Sequence, residues 1–319
     1  MTLKAVFLDY SALDQHDLDF SPLKSVLPEL ELYAATAPEQ VVERLIDADI
    51  AIVNKVYLTA EILAQLPKLK LILVSATGVN NVDLATAQAK GIVVSNCQGY
   101  GTTSVAQHAI ALMFALATNL IRYHNAVQQG RWQTSEQFCF LDYPIVELSG
   151  KTLGILGYGE LGKEVARLAT ALGMKVVVGN LPHRPAHAER LALDVLLPQV
   201  DILTLHCPLT EHTRNLIGEA ELARMKSSAF LINTARGGVV NEQALAEALQ
   251  QGKIAGAATD VLTVEPPRQG NILLDQNLPN LTITPHSAWG SSQARQRIVQ
   301  QLAENAAAFL SGQPIRQVA

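Results

Sequence analysis

Three closely spaced glycines, Gly157, Gly159 and Gly162, stand directly after the apolar run 152–156 and directly before a helical pattern. Val165, Leu168, Ala169 and Leu172 give that pattern its apolar stripe, and Gly173 is its stop. A strand that turns into a helix this abruptly needs backbone without a Cβ at the turn. It also aims the helix N-terminus, with its unpaired N–H groups and positive dipole end, past the carboxyl end of the strand. This commits the chain to a parallel α/β layer with a turn suited to a phosphate group.

The same alternation runs through the rest of the chain. Runs 5–8, 50–53, 71–74 and 92–94 are short, continuously apolar and rich in branched residues, as strands buried on both faces are. Between them, 38–47 carries Val41, Val42, Leu45 and Ile46 on one side, and 59–66 follows a threonine cap. An α/β domain over roughly the first 98 residues follows from this alternation. A single long helix is expected over 103–130, with Ala106, Ala109, Ile110, Met113, Phe114 and Ala117 as its stripe and Gly130 as its stop.

Residues 131–150 show no periodicity and hold Trp132, Phe138, Phe140 and Tyr143. An irregular, aromatic stretch of this length is expected to dock on a second copy of the chain, a self-packed loop being the alternative. Further strands are expected at 152–156, 175–178, 201–206, 229–233, 255–259 and 281–284, a full dinucleotide-binding set. The tail 291–310 reads as one helix packing back on the first domain. The domains expected are therefore 1–99 plus 288–319, and 100–287.

Composition narrows the function. Charged residues make up 17% and hydrophobic residues 49%, which suits a compact globular fold. A formal net charge of −5 argues against a nucleic-acid partner. The three cysteines (Cys97, Cys139, Cys207) form no CxxC pair and no metal-spaced cluster, so neither disulfides nor a metal site are expected. The first ten residues lack the long apolar region of a secretion signal, and the stretch 109–117 is far too short to span a bilayer. A cytoplasmic protein with no membrane partner is expected.

The glycine turn (Gly157, Tyr158, Gly159, Glu160, Leu161, Gly162) is a dinucleotide fingerprint in its proper strand–turn–helix setting. At the end of the next strand, where an acidic residue usually meets the ribose, stands Asn180, followed by Arg184. Loss of the carboxylate removes repulsion against a 2′-phosphate and Arg184 can pair with it. The cofactor expected is NAD(P)H, with NADPH favoured and NADH left open. Cys207 and Pro208, after another strand, are expected to line the same crevice. A nucleophilic Cys207 lacks a partner base in the sequence.

Three charged residues follow three strand-like runs. Arg236 comes after 230–235, Glu265 just past 257–262, and His286 closes 281–285. Ligands bind outside the carboxyl ends of such strands, so the three can share one crevice. Arginine offers a donor fork matched to a carboxylate. A histidine oriented by a glutamate can protonate a carbonyl as hydride arrives and take the proton back in reverse. Thr77, Gly78 and Val79, after the run 71–74, offer backbone N–H groups as a second anion grip. Lys55 faces the same cleft or solvent, and Trp289 is expected to wall the substrate pocket, a packing aromatic between domains or at the dimer contact being the alternative. The remaining histidines (16, 108, 124, 183, 187, 206, 212) read as structural, with His206, at a strand end, the nearest rival to His286.

These residues resemble the D-isomer-specific 2-hydroxyacid dehydrogenase family along nearly the whole chain. The stretches that carry the resemblance are 157–162, 206–210 with Thr213, 231–238, Asp260 with Glu265, and 284–289. It implies catalytic roles for Arg236, Glu265 and His286, and cofactor contacts from Thr102, Thr213, Thr234, Ala235 and Asp260. It also implies a Rossmann cofactor domain inserted into a split, flavodoxin-like substrate domain, a homodimer and hinge closure. Asn54-Lys55, 99–103 and Trp289 after His286 are similar to glycerate dehydrogenase (hydroxypyruvate reductase) and glyoxylate reductase members. Reduction of hydroxypyruvate or glyoxylate to the D-2-hydroxy acid is thus the expected activity. Gln107 replaces the family's usual glutamate, with little effect expected on the chemistry. Formate-oxidising relatives replace the catalytic glutamate by glutamine, so Glu265 argues against that activity. A non-enzymatic dinucleotide sensor of corepressor type is the alternative.

Overall fold

The computed structural model describes residues 3–185 and 187–319. Its internal contacts divide the chain into two units, Met1–Gly101 with Trp289–Ala319, and Thr102–Ala288.

The first unit is built on five parallel strands: β1 (Ala5–Phe7), β2 (Leu30–Leu32), β3 (Ile50–Val53), β4 (Leu71–Val74) and β5 (Val93–Ser95). Their spatial order, β2-β1-β3-β4-β5, is that of a doubly wound, flavodoxin-like sheet. Apolar layers cover both faces. Val6, Ala51, Val53, Ile72 and Val74 face one layer. Ala5, Phe7, Ile50, Ile52, Leu71 and Leu73 face the other, which the tail helix supplies with Ile298, Leu302 and Ala306. Covering on both sides is why these strands read as unbroken apolar runs. The tail helix, Ser292–Leu310, starts where the Ser291 side chain accepts from Ala294 N–H. Arg295 pairs with Asp17 at 2.6 Å. Strand β2 was not expected: it lies at the sheet edge, is at most half-buried and carries Glu31 at its centre.

The second unit holds six parallel strands, β6 (Thr152–Leu156), β7 (Lys175–Gly179), β8 (Ile202–Leu205), β9 (Phe230–Asn233), β10 (Gly256–Thr259) and β11 (Leu281–Ile283). Their order is β11-β10-β9-β8-β6-β7, with Leu191 bridging to Gly179 on the outer side of β7. The chain first winds outward from β6 through β7 and then returns to the opposite side of β6 as β8. The strand order thus reverses at the end of β6, where the glycine turn lies, and such a switch point opens a ligand crevice.

The single helix expected over 103–130 is two helices, Thr102–Ala117 and Leu120–Gln128, bent by 60°. Asn119 sits in the left-handed region (φ 50°) and its amide donates to the Pro144 carbonyl at 2.6 Å. The Ala117 carbonyl accepts instead from Val146 N–H at 2.8 Å. The returning segment therefore takes up hydrogen bonds that a continuous helix would have used. Among the described residues, no single helix is long and apolar enough to cross a membrane. Part of the aromatic segment packs on the second helix: Tyr123 meets Phe140 and Tyr143, and the Arg122 guanidinium lies 4.0 Å over the Tyr143 ring.

Candidate active site

The glycine turn is shaped by close approach. Gly157 has φ +97°, and a Cβ there would lie 2.5 Å from the His206 carbonyl carbon. A Cβ on Gly162 would lie 2.1 Å from the Gly157 oxygen. At Gly159, by contrast, a Cβ meets nothing within 4 Å. Gly159 is the N-cap of the helix Glu160–Ala171 and offers no side chain to its first N–H groups. Open space therefore faces a helix N-terminus, the setting that holds a pyrophosphate. Tyr158 packs against the apolar layer beneath, Leu161 is half-buried, and Glu160 is exposed in the first turn.

Beyond β9, Thr234 and Ala235 are buried, and among the described residues the Thr234 hydroxyl has no partner. An orphaned hydroxyl and an open helix N-terminus at one edge of one sheet fit a nicotinamide dinucleotide. Thr102 opens the first helix of this unit and is half-buried.

Other expected contacts are engaged inside their own loops. The Thr213 hydroxyl donates to the Pro208 carbonyl at 2.6 Å and accepts from Thr210 N–H at 2.8 Å, holding the turn after β8. Asn180 donates its amide to the Arg190 carbonyl at 3.2 Å and accepts from His187 N–H at 3.2 Å, closing the loop after β7. Arg184 is exposed on that loop. Burial pushes the Cys207 thiol up to about 11, while its backbone hydrogen bond and the Arg184 charge pull it the other way. A protonated Cys207 is no nucleophile at neutral pH. His206 is likewise no rival acid, since burial pushes its imidazole down to about 4.

At the end of β9, Asn233 folds the chain over. Its amide donates to the Arg236 carbonyl and its oxygen accepts from Ala235 N–H, both at 3.1 Å. Arg236 is exposed, its Nη1 donating to the Ala235 carbonyl at 2.8 Å. The next residue, Gly237, packs its Cα directly on the Leu262 carbonyl.

Leu262 N–H in turn donates to Glu265 Oε1 at 2.8 Å, and Glu265 Oε2 lies 2.6 Å from His286 Nδ1. An ionised carboxylate can only accept, so Nδ1 carries the proton and Nε2 is left to give or take one. Both side chains keep about a third of their surface, 34% for Glu265 and 31% for His286, so solvent or a ligand can reach them.

His286 itself is held in the left-handed region, φ 52°. Its N–H donates to the Asp260 carbonyl at 2.7 Å, while the buried Asp260 carboxylate accepts from Ser287 and Ala288 N–H, each at 2.9 Å. Asp260, expected at the cofactor, is seen to anchor the His286 segment.

In the first unit, Lys55 is exposed after β3. Its loop is fixed by Asp9, which accepts from the N–H groups of Asn54, Lys55 and Val56 at 2.8, 2.7 and 3.1 Å. This residue was missed in the sequence, where it looked like the end of a strand. After β4, Thr77 donates its hydroxyl to the Cys97 carbonyl at 3.0 Å. Among the described residues, the N–H groups of Gly78 and Val79 meet no backbone acceptor. Trp289 packs edge-on against Tyr100 at 6.4 Å in the layer that the tail helix covers.

Comparison with known proteins places the chain in a family. The family described as "D-isomer specific 2-hydroxyacid dehydrogenase, NAD binding domain" matches residues 110–288. A glycerate dehydrogenase of Methylorubrum extorquens is 49% identical over 98% of each chain. A hydroxypyruvate reductase of Blautia hydrogenotrophica is 38% identical over 99% of each. A crystal structure of an NADPH-dependent glyoxylate/hydroxypyruvate reductase from Sinorhizobium meliloti, with NADP and malonate, superposes with a TM-score of 0.82 at 27% identity, covering 100% of this chain and 97% of that one. The chain belongs to the D-isomer specific 2-hydroxyacid dehydrogenases, NAD(P)-dependent oxidoreductases.

Proposed function

We propose that the protein reduces a small 2-oxo acid, hydroxypyruvate foremost and glyoxylate next, to the D-2-hydroxy acid. Residues 100–287 would act as the cofactor domain, and 1–99 with 288–319 as the substrate domain. The observation that carries this reading is the 2.6 Å contact between His286 Nδ1 and Glu265 Oε2, with Oε1 fixed on Leu262 N–H. When bound, the dinucleotide supplies hydride to C2. His286 Nε2–H gives its proton to the carbonyl oxygen, and Glu265 holds the resulting neutral ring in place until it is reprotonated. One hydride and one proton are consumed per 2-oxo acid, and the reverse direction returns both. Arg236 grips the substrate carboxylate and polarises the carbonyl. The Gly78 and Val79 N–H groups, Lys55 and Trp289 are the further substrate contacts in this reading.

NADPH is the preferred nucleotide in this reading. No carboxylate ends β7, Asn180 is engaged within its loop, and Arg184 stands exposed on the same loop. A homodimer is inferred from the apolar side chains left exposed around the aromatic segment, Phe138 (89%), Leu141 (76%) and Leu120 (62%) foremost. Three free thiols suit a cytoplasmic setting. The test is nucleotide oxidation at about 340 nm with hydroxypyruvate, glyoxylate and pyruvate, each with NADPH and NADH. Fast oxidation with hydroxypyruvate and NADPH is expected, and none with any acid would overturn the reading. Light scattering reads the dimer.

A further inference from the structure

We propose that His108 is a positioning residue for the proton donor, acting on His286 through Thr284 and Asp260; this rests on the reading of His286 given above. His108 lies on the helix Thr102–Ala117, with Nε2 3.0 Å from Thr284 Oγ1 and 3.7 Å from Asp260 Oδ1. The Thr284 hydroxyl donates to Asp260 Oδ1 at 2.5 Å. A hydroxyl has one proton and a carboxylate has none to give. Thr284 must therefore accept from His108, which fixes the proton of His108 on Nε2.

The chain of donors runs from His108 through Thr284 to the Asp260 carboxylate, whose side chain is 1% exposed. That carboxylate also takes the Ser287 and Ala288 N–H groups. One turn earlier on the same helix, Ser104 Oγ donates to the Ala288 carbonyl at 2.7 Å. Residues four apart share a helix face. Ser104 and His108 thus grip the two ends of residues 284–288, and His286 is the midpoint of the gripped span. A left-handed backbone at a residue other than glycine persists only where its surroundings over-determine it, and these bonds do so. The helix face sets where the His286 ring stands, while Glu265 sets how it is turned.

Three forms of the whole protein test this: wild type, His108→Leu and His108→Gln. The glutamine amide can still donate to Thr284. His108→Leu should lower kcat for hydroxypyruvate about tenfold, the scale of one lost hydrogen bond to a buried group, with KM within about twofold. His108→Gln should recover kcat to within about threefold of wild type. The 15N resonances of the His286 ring should move in His108→Leu and return in His108→Gln. Wild-type kcat in His108→Leu, or a loss that glutamine does not rescue and the His286 resonances do not follow, overturns the proposal. A failure of the underlying reading is separate: it appears as full turnover in His286→Ala, whatever His108 does.

Discussion

A Cβ on Gly237 would lie 1.9 Å from the Leu262 carbonyl oxygen and 2.6 Å from the Thr263 nitrogen. The turn bearing Arg236 and the turn bearing Glu265 are therefore in backbone contact, and no side chain fits between them. Gly237→Ala must push the two turns apart, and Leu262 is the residue whose N–H holds Glu265 Oε1. A displacement near 1 Å of a positioned group costs about a hundredfold in rate. The expected result is a loss of at least that size in kcat/KM, with the circular dichroism spectrum of a folded protein. A variant within a few-fold of wild type would show that the contact does not register the two side chains.

Removing the proposed proton donor, His286, and removing its partner should differ in degree. His286→Ala deletes general acid catalysis and should lower kcat by about 10²–10⁴-fold while leaving nucleotide affinity unchanged. Glu265→Gln keeps a hydrogen-bond acceptor but removes the charge 2.6 Å from Nδ1. The amide oxygen can still accept from Nδ1–H, but the bond is no longer charge-assisted, so kcat should fall about tenfold, less than in His286→Ala, with nucleotide affinity unchanged. Steady-state kinetics of both variants check the contrast; a loss in Glu265→Gln as large as that in His286→Ala would mean that an uncharged acceptor does not hold the ring.

Nucleotide choice is expected to rest on Arg184. Arg184→Ala should weaken NADPH binding by about tenfold or more, the scale of a hydrogen-bonded charge pair, and leave NADH nearly unchanged. Fluorescence titration of both nucleotides measures this. Equal losses for the two would place Arg184 away from the 2′-phosphate.

How much of this was legible in the sequence depended on where each signal was stored. Strands 50–53, 71–74 and 152–156 matched to the residue, because burial on both faces writes itself as a continuous apolar run. The edge strand Leu30–Leu32 was missed, because a half-buried edge tolerates Glu31 and leaves no such run. The break at Asn119 was also missed: the apolar stripe continues up to it, and the groups that replace the helical bonds come from Pro144 and Val146. The same contrast holds in the site. Arg236, Glu265 and His286 were singled out by following strands, and the structure brings Glu265 and His286 together. His108 did not, since its partner Thr284 is 176 residues away and a half-buried polar residue on a helix looks ordinary.

His206 carries the clearest expectation for stability. Its Nε2 meets Thr204 Oγ1 at 3.0 Å, its Nδ1 is buried without a partner among the described residues, and burial lowers its pKa to about 4. In the unfolded chain a histidine titrates near 6.5. Between those two values the unfolded state binds more protons than the folded one, so stability rises with pH. The contribution is fully present above about pH 6.5 and is lost progressively as pH falls toward about 4. At pH 5 the loss should be roughly 1–2 kcal/mol relative to pH 7. His206→Gln, which keeps a polar side chain of similar reach but does not titrate, should flatten that slope. Urea unfolding of both proteins at pH 5, 6 and 7 decides the matter: parallel slopes would mean that water reaches the ring and that its burial carries no proton-linked cost.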